Sequence, residues 1–153
     1  MSHHLLKHFS TSLPFEIIDG SLPVIQYLSD KNIKLGVISN YDKRLETILV
    51  QLGLRHYFSF VLDSYSVGVA KPDPLIFSSA LKKSGIDINP ENALHIGDNI
   101  DFDYLGAREA GWQSLLVTPD IDSQCQKHSI QKCSNSMFTS IIDSLDYIKS
   151  NLD

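Results

Sequence analysis

Short apolar runs alternate along the chain with segments in which apolar residues recur at helical spacing. The runs are short, contain Val, Ile, Leu or Phe, and end in small or acidic residues. This length and composition favour buried β-strands over helices. The four predicted strands cover residues 34–40, 58–63, 93–98 and 113–118.

Helical periodicity predicts helices before, between and after these strands. Ser21, Asp42 and Asp73 stand where N-caps are expected, and Pro74 follows Asp73 at a first helical position. The polar stretch 120–136 is predicted to be a surface loop with weak structure. The predicted helices cover residues 21–30, 43–52, 74–84, 102–110 and 137–152.

The alternation of strands and helices determines the expected fold class. Strands that are separated by helices pair in parallel through right-handed crossovers. Strands that are apolar throughout belong to sheets covered on both faces. The pattern therefore predicts an α/β fold with a doubly wound parallel sheet.

Composition narrows the range of partners. Hydrophobic residues make up 42% and charged residues 20% of the 153 residues, which is typical of a folded domain. The chain has 13 Lys and Arg and 18 Asp and Glu, which gives a net charge of −5. Nucleic acid is therefore not expected as a main partner. No apolar run approaches the roughly 20 residues of a membrane span, and no secretory signal is visible. We therefore expect no membrane association and a cytoplasmic location.

Polar residues follow three predicted strands at the ends where open parallel sheets bind ligands. Ser39 and Asn40 end the first strand, Lys71 lies in the loop after the second, and Asp98 ends the third with Asp103 just beyond. Carboxylates suit Mg²⁺, and an ammonium, a hydroxyl and a backbone N–H suit phosphoryl oxygens. The set predicts a magnesium-assisted phosphate site, with Asp98 and Asp103 on the metal and Ser39, Asn40 and Lys71 on the phosphate.

Each of these residues also has a simpler interpretation. The Ser-Asn pair could form only a turn, the lysine could be solvated, and the second aspartate could sit in a helix first turn because of the helix dipole. His95 lies inside an apolar strand, where a hydrogen-bonded core histidine is expected rather than a ligand or base. Gly97 is expected to let a ligand approach the backbone.

The order of the motifs resembles that of the haloacid dehalogenase-like hydrolase superfamily. The motifs are Val-Ile-Ser-Asn at 37–40, Lys-Pro-Asp-Pro-Leu-Ile-Phe at 71–77, and the segment 95–103 followed by Gly-Ala-Arg-Glu-Ala-Gly at 106–111. The resemblance covers residues 15–118. It implies a Rossmann-like core, Mg²⁺ as cofactor, a small phosphorylated substrate and a catalytic role for Lys71. Phe102 departs from the pattern, because the family often has Asn at this place.

The resemblance further implies an aspartate nucleophile in an Asp-x-Asp motif that ends an N-terminal strand. No such motif follows an early apolar run here, and residues 5–9 look like the helical end of the family's cap. We therefore expect residues 1–18 to be a remnant of the cap and linker. Residues 19–153 are expected to form the core, without its first central strand and most of its cap.

The expected strand order is then 58–63, 34–40, a gap, 93–98 and 113–118. The gap could close by direct pairing of its two flanking strands, could be filled by residues near 15–18, or could mark a fragment of a longer chain. We expect the third outcome. Low stability and little or no phosphatase activity of the polypeptide alone are expected with it.

Two other functions remain open. A non-catalytic phosphate- or protein-binding domain would use Ser39, Lys71 and Asp98 without turnover. A phospho-accepting receiver domain would need its acidic residues before the hydroxyl and the lysine, so it is disfavoured. The sequence predicts neither the substrate nor the oligomeric state.

Overall fold

The structure, a computed structural model, describes residues 6–7, 15–132 and 135–152. Within them, β1 and β2 form a two-residue antiparallel ladder, β3 pairs with β4 in parallel, and β5, β6 and β7 form a parallel sheet in that order. The strands are β1 (Leu6–Lys7), β2 (Glu16–Ile17), β3 (Gly36–Ser39), β4 (Phe60–Asp63), β5 (Leu94–Gly97), β6 (Gln113–Val117) and β7 (Met137–Phe138). We call β3–β4 the first sheet and β5–β6–β7 the second sheet.

Helices connect the strands as the alternating pattern predicts. A π-helical segment, Ile100–Leu105, precedes the fifth α-helix, and short 3₁₀ turns cover Arg55–Tyr57 and Pro90–Asn92. The α-helices are α1 (Ser21–Asp30), α2 (Arg44–Gln51), α3 (Ser64–Val67), α4 (Pro74–Ser84), α5 (Gly106–Glu109), α6 (Ile121–Lys127) and α7 (Ser144–Leu152). The α/β fold with parallel strand pairs is confirmed, and the pairing agrees with the expected strand order.

Helix α1 covers one face of both sheets. Its Ile25 packs in the buried cluster of the first sheet that contains Val61, while the neighbouring Val24 packs with Leu115 of the second sheet. Both side chains are buried, at 7% and 2% exposure. The burial of two adjacent apolar residues against different sheets therefore holds the sheets together on this face.

Helix α4 covers the opposite face. Phe77 is fully buried and packs in the cluster that includes Ile38 of β3. Its ring also meets the His95 ring of β5 edge-to-face, with the centroids 5.4 Å apart. Such an aromatic pair contributes about 0.5–1.5 kcal/mol beyond the area that it buries. One residue of α4 thus contacts both sheets, as α1 does from the other side.

The first sheet has an open edge on β3. The Leu35 carbonyl accepts a hydrogen bond of 2.8 Å from the Ser59 N–H, on the side of β4. Because the peptide groups of successive residues in a strand point to opposite sides, those of Gly36 and Ile38 point away from β4. Among the described residues, no strand pairs with this side.

The second sheet has a matching open edge on β5. Ala93 accepts a hydrogen bond of 2.9 Å from the N–H of Gln113, so the peptide groups of Leu94 and Ile96 point away from β6. We call the space between the open edges of β3 and β5 the slot. The two flanking strands do not pair with each other, and residues 16–17 pair with residues 6–7.

Two local predictions near the N-terminus are wrong. Leu6 and Lys7 are extended rather than helical, and the other residues of the segment 5–9 lie outside the described residues. Ser21 does not cap α1, because Gly20 holds the N-cap position at φ +84°. The Ser21 hydroxyl is buried and has no hydrogen-bond partner in the described part of the chain. A Cβ at Gly20 would also lie 2.9 Å from the Ile142 Cβ, so this turn requires glycine.

The C-terminal third differs most from the prediction. The segment predicted to be a surface loop contains α6, whose Ile121 and Cys125 lie one helical turn apart and are both buried. The predicted helix from residue 137 is instead β7, a turn and the shorter α7. Met137 and Phe138 pack into different clusters, on the alternating faces typical of a strand.

Candidate active site

The five predicted site residues all lie at the carboxyl ends of the parallel strands. Ser39 ends β3, and Asn40 follows it. Lys71 lies in the loop between α3 and α4, and Asp98 follows β5. Asp103 lies in the π-helical segment behind β5. The structure therefore places the predicted residues at one edge of the fold.

Lys71 forms the centre of this group. It is 4% exposed, and its Nζ donates to the Asp103 Oδ1 at 2.5 Å and to the Ile38 carbonyl at 3.0 Å. Asn40 holds its backbone from both sides, since Oδ1 accepts from the Lys71 N–H at 2.8 Å and Nδ2 donates to the Lys71 carbonyl at 2.9 Å. The alternative of a solvated loop lysine is therefore wrong.

The local sequence explains how this lysine is buried. Asp73 accepts a hydrogen bond of 2.9 Å from the Leu75 N–H, and Pro74 begins α4, as predicted. Pro72 packs against Gly106, where a Cβ would come 2.8 Å from the proline Cβ. The helix start and this close contact together fix the loop that carries Lys71.

Asp103 is an internal anchor with every carboxylate oxygen engaged. It is 0% exposed. Besides the bond from Lys71, Oδ1 contacts the Nε2 of His95 at 2.9 Å, while Oδ2 accepts from the N–H groups of Asp98 at 3.2 Å and Asn99 at 3.0 Å. Because an ionised carboxylate can only accept, we assign the hydrogen to Nε2 of His95. The expectation that His95 is a hydrogen-bonded core residue is confirmed.

Gly97 provides the space for this anchor. A Cβ at Gly97 would lie 2.3 Å from Cγ of Asp103, which is closer than any real contact of this kind. Gly97 was predicted to leave room for a ligand. In the structure it leaves room for the buried carboxylate of Asp103.

Burial and hydrogen bonding set the charges of this buried group. Burial opposes ionisation of Asp103, but the hydrogen bond from His95 and the charge of Lys71 outweigh it and hold the pKa of Asp103 well below its usual range. Burial also lowers the pKa of His95, against the opposing hydrogen bond to Asp103. At neutral pH the Asp103 carboxyl is therefore ionised and the His95 imidazole is neutral.

Ser39 and Asp98 stand at the ends of β3 and β5, next in sequence to Asn40, which holds Lys71, and to Asn99, which holds Asp103. Among the described residues, the Ser39 hydroxyl makes no hydrogen bond, and the side chain is partly exposed at the strand end. Asp98 is 8% exposed, and its backbone N–H is bonded to Asp103. The hydroxyl of Ser39 is thus available to an oxyanion.

Gln124 is a site-supporting residue that the sequence analysis missed. Its Oε1 accepts a hydrogen bond of 3.0 Å from the Ile100 N–H, and its Nε2 donates to the Asp98 carbonyl at 3.1 Å. The side-chain amide therefore fixes the backbone of the Asp98 loop by bonding one N–H and one carbonyl of it. The spacing of Ile121 and Cys125 was the signal that could have revealed its helix.

The donor set fits a magnesium site in part. Across the described ranges, no group of three or more His, Cys, Asp or Glu side chains is arranged to hold a metal ion. Mg²⁺ nevertheless needs only one or two carboxylates when water and phosphate oxygens complete its shell, so Asp98 fits. Asp103 has both oxygens occupied by N–H donors, which favours a role behind the metal. The metal roles of both residues stay predictions.

A family model described as "Hydrolase: haloacid dehalogenase-like hydrolase" matches residues 2–111. The chain belongs to the haloacid dehalogenase-like hydrolase family. Parallel strand pairs with polar residues at their carboxyl ends agree with this membership. The resemblance on which the site residues were predicted is therefore confirmed at the level of the family.

Relatives support the assignment of this haloacid dehalogenase-like chain. It is 35% identical over 158 residues to haloacid dehalogenase-like hydrolase domain-containing protein 3 of Bos taurus, which covers 99% of this chain and 60% of the relative. It is 34% identical over 127 residues to the glyceraldehyde 3-phosphate phosphatase of Methanothermobacter thermautotrophicus, covering 82% and 54%. The chain spans about half the length of the curated relatives that it matches.

A solved structure shares the fold. The crystal structure of a HAD-superfamily hydrolase from Ehrlichia chaffeensis aligns with a TM-score of 0.74 at 25% identity, over 97% of this chain and 65% of that one. In the part of the chain that the structure describes, no helix combines the length and the apolar character that crossing a membrane requires.

Proposed function

We propose that this chain carries the phosphate-binding half of a magnesium-dependent phosphatase site that acts on a small phosphorylated substrate. The buried Lys71 ammonium, held between the Ile38 carbonyl and Asp103, is the observation that supports this most strongly. Membership of a hydrolase family and similarity to a phosphatase support the same reaction class. A cytoplasmic location stays a prediction.

Each residue has a role in this proposal. Lys71 neutralises phosphoryl charge as a catalytic residue, and its position is preorganised because Asn40 and Asp103 hold it before substrate arrives. The Ser39 hydroxyl and the backbone N–H of Asn40 bind phosphoryl oxygens. Asp98 would hold Mg²⁺, with Asp103 fixing the Asp98 backbone through its N–H, and the metal ion would supply further stabilisation of phosphoryl charge.

We also propose that the polypeptide is weakly active or inactive alone, because three of the carboxylates that follow its strands already have other roles. Asp42 binds the side chain and backbone of Arg44, and Asp63 caps α3 through the N–H of Ser66. Asp103 is occupied as described. Within the described residues, these three carboxylates are therefore not free to act as the nucleophile, and no strand that could carry one pairs in the slot.

Binding and turnover are tested separately. Thermal unfolding with Mg²⁺ and inorganic phosphate should show stabilisation that depends on both, while hydrolysis of p-nitrophenyl phosphate should stay far below that of a full-length relative. Stabilisation without turnover also describes the alternative, a non-catalytic phosphate-binding domain. Turnover gained when the N-terminal region of a full-length relative is added would favour the phosphatase.

Ser39→Ala is the sharpest variant for the phosphate site. Because the Ser39 hydroxyl has no partner among the described residues, its loss should leave stability unchanged and weaken phosphate binding about fivefold, the usual effect of one hydrogen bond. Ser66→Ala is the matched control, since Ser66 is exposed at the start of α3. Equal phosphate affinity in wild type and Ser39→Ala would contradict the proposed phosphate contact.

A further inference from the structure

A pocket of about 390 Å³ lies at the amino-terminal ends of the strands of the second sheet, opposite the candidate active site. Leu94 and Gln113, the first residues of β5 and β6, line it, as does Ser136 just before β7. Arg108 of α5 forms part of its wall. Its volume falls within the range of roughly 300–1,000 Å³ that small-molecule sites occupy.

Two buried groups fix the guanidinium of Arg108. Its Cζ lies 4.3 Å from the centroid of the Tyr104 ring, and its Nε donates to the Ser114 Oγ at 2.9 Å. Tyr104 and Ser114 are 4% and 3% exposed. A hydrogen bond of 2.8 Å between the Tyr104 hydroxyl and the Ser136 Oγ fixes the tyrosine in turn. The arginine is therefore oriented by the core although its side chain reaches the surface.

The rest of the guanidinium is available. Among the described residues, the Nη1 and Nη2 of Arg108 have no hydrogen-bond partner, and no Asp or Glu lines the pocket. The protein as a whole carries a net charge of −5. The described residues that line this pocket are by contrast free of acidic side chains, so the positive charge of Arg108 is not neutralised there. A planar pair of N–H groups suits the two oxygens of a carboxylate or phosphate.

The other walls suit the remainder of a small ligand. Trp112 and Tyr147 supply aromatic surface, and Leu94 adds an apolar side chain. The hydroxyl groups of Ser114 and Ser136 lie in the same pocket and are already engaged with Arg108 and Tyr104. The polar contacts are therefore concentrated at the arginine.

We propose that this pocket binds a small molecule through an oxyanion group, a carboxylate or a phosphate, on Nη1 and Nη2 of Arg108, with its apolar part against Trp112 and Tyr147. The site is independent of the phosphate site at Lys71, because the two lie at opposite ends of the strands. It does not depend on the proposed phosphatase function.

Trp112 is the chain's single tryptophan, so its fluorescence reports on this pocket directly. Wild-type protein is titrated with benzoate and, separately, with phenyl phosphate, which distinguishes a carboxylate site from a phosphate site. At least one probe should change the fluorescence saturably. Ser39→Ala should bind it with unchanged affinity, because that substitution affects the other end of the sheet.

Substitution of the arginine completes the test. Arg108→Gln should weaken the binding about tenfold or more, as loss of a charge-assisted pair of hydrogen bonds does. Arg108→Lys keeps the charge and should weaken it less. Affinity that is unchanged in Arg108→Gln would overturn the proposal. A wild-type fluorescence that neither probe changes saturably would overturn it too, whether or not the variants fold.

Discussion

Replacing Lys71 by methionine should destabilise the fold strongly, since it leaves the Asp103 carboxylate charged and buried without its ion partner. Lys71 and Asp103 are 4% and 0% exposed, so water cannot substitute for the lost ammonium. Breaking a buried pair by removing one partner costs about 3–5 kcal/mol. Three donors to Asp103 remain, from His95 and from two backbone N–H groups, which places the expected cost near the lower end of that range.

Thermal and urea-induced unfolding measure this cost. A domain of this size loses about 2–4 °C of midpoint per kcal/mol, so a fall of roughly 6–12 °C is expected from about 3 kcal/mol. Lys82→Met is the control, because Lys82 is exposed on α4. The double variant Lys71→Met/Asp103→Asn removes the buried charge and should recover part of the lost stability.

The outcome that refutes the reasoning is specific. If Lys71→Met unfolds within about 1 kcal/mol of wild type, the pair contributes no more than an exposed ion pair does. If the two substitutions are simply additive in the double variant, Asp103 is not coupled to Lys71. Either result would remove the ion pair as the structural centre of the site.

Three further predictions concern Gln124, His95 and Gly97. Gln124→Ala should weaken Mg²⁺ binding about tenfold by releasing the metal loop, with the exposed Gln126→Ala as control; equal Mg²⁺ affinities would contradict this. Because the pKa of His95 is lowered in the folded state, its contribution to stability is complete above about pH 6.5 and is lost on acidification. The free energy of unfolding measured in urea should therefore fall more steeply for wild type than for His95→Asn between pH 7.5 and 5.5, by at most about 1.4 kcal/mol per pH unit, and parallel curves would argue against it. Gly97→Ala should cost about 1–3 kcal/mol through its clash with Asp103, and an unchanged unfolding midpoint would show that the anchor can move.

The sheet and the edge that carries the site were predictable from the sequence. Apolar runs marked the four main strands, and the sequence Asp73-Pro74 marked the start of α4 at the correct residue. These signals are local, because a cap or a buried strand depends on residues a few positions apart. The convergence of Lys71 with the carboxylates also followed, since parallel strands end at a common edge.

The internal arrangement of the site was not predictable in the same way. Nothing in the sequence indicates that Asp103 is buried over Gly97 and bonded to His95. His95 and Gly97 lie on the same side of β5, so the strand supplies both a donor and a space. The geometry depends on the π-helical turn that brings Asp103 back toward the strand, for which periodicity gives no signal.

The C-terminal errors have a related cause. A polar helix such as α6 shows few apolar positions, and its buried residues face the second sheet rather than forming a continuous stripe. The two-residue β7 is too short for its alternation to be distinguished from helical spacing. Tertiary contacts decided both elements.

The hydrogen bonds of the Lys71 ammonium connect the two sides of the slot, since one of them ends on β3 and the other on the segment that follows β5. An anion that draws this ammonium outward must compete with these two hydrogen bonds. Ligand affinity and cohesion of the two halves are consequently linked quantities, each changing when the other is altered. Substitutions that pull the halves together, even at a distance from any bound phosphate, would thereby tune how tightly it is held.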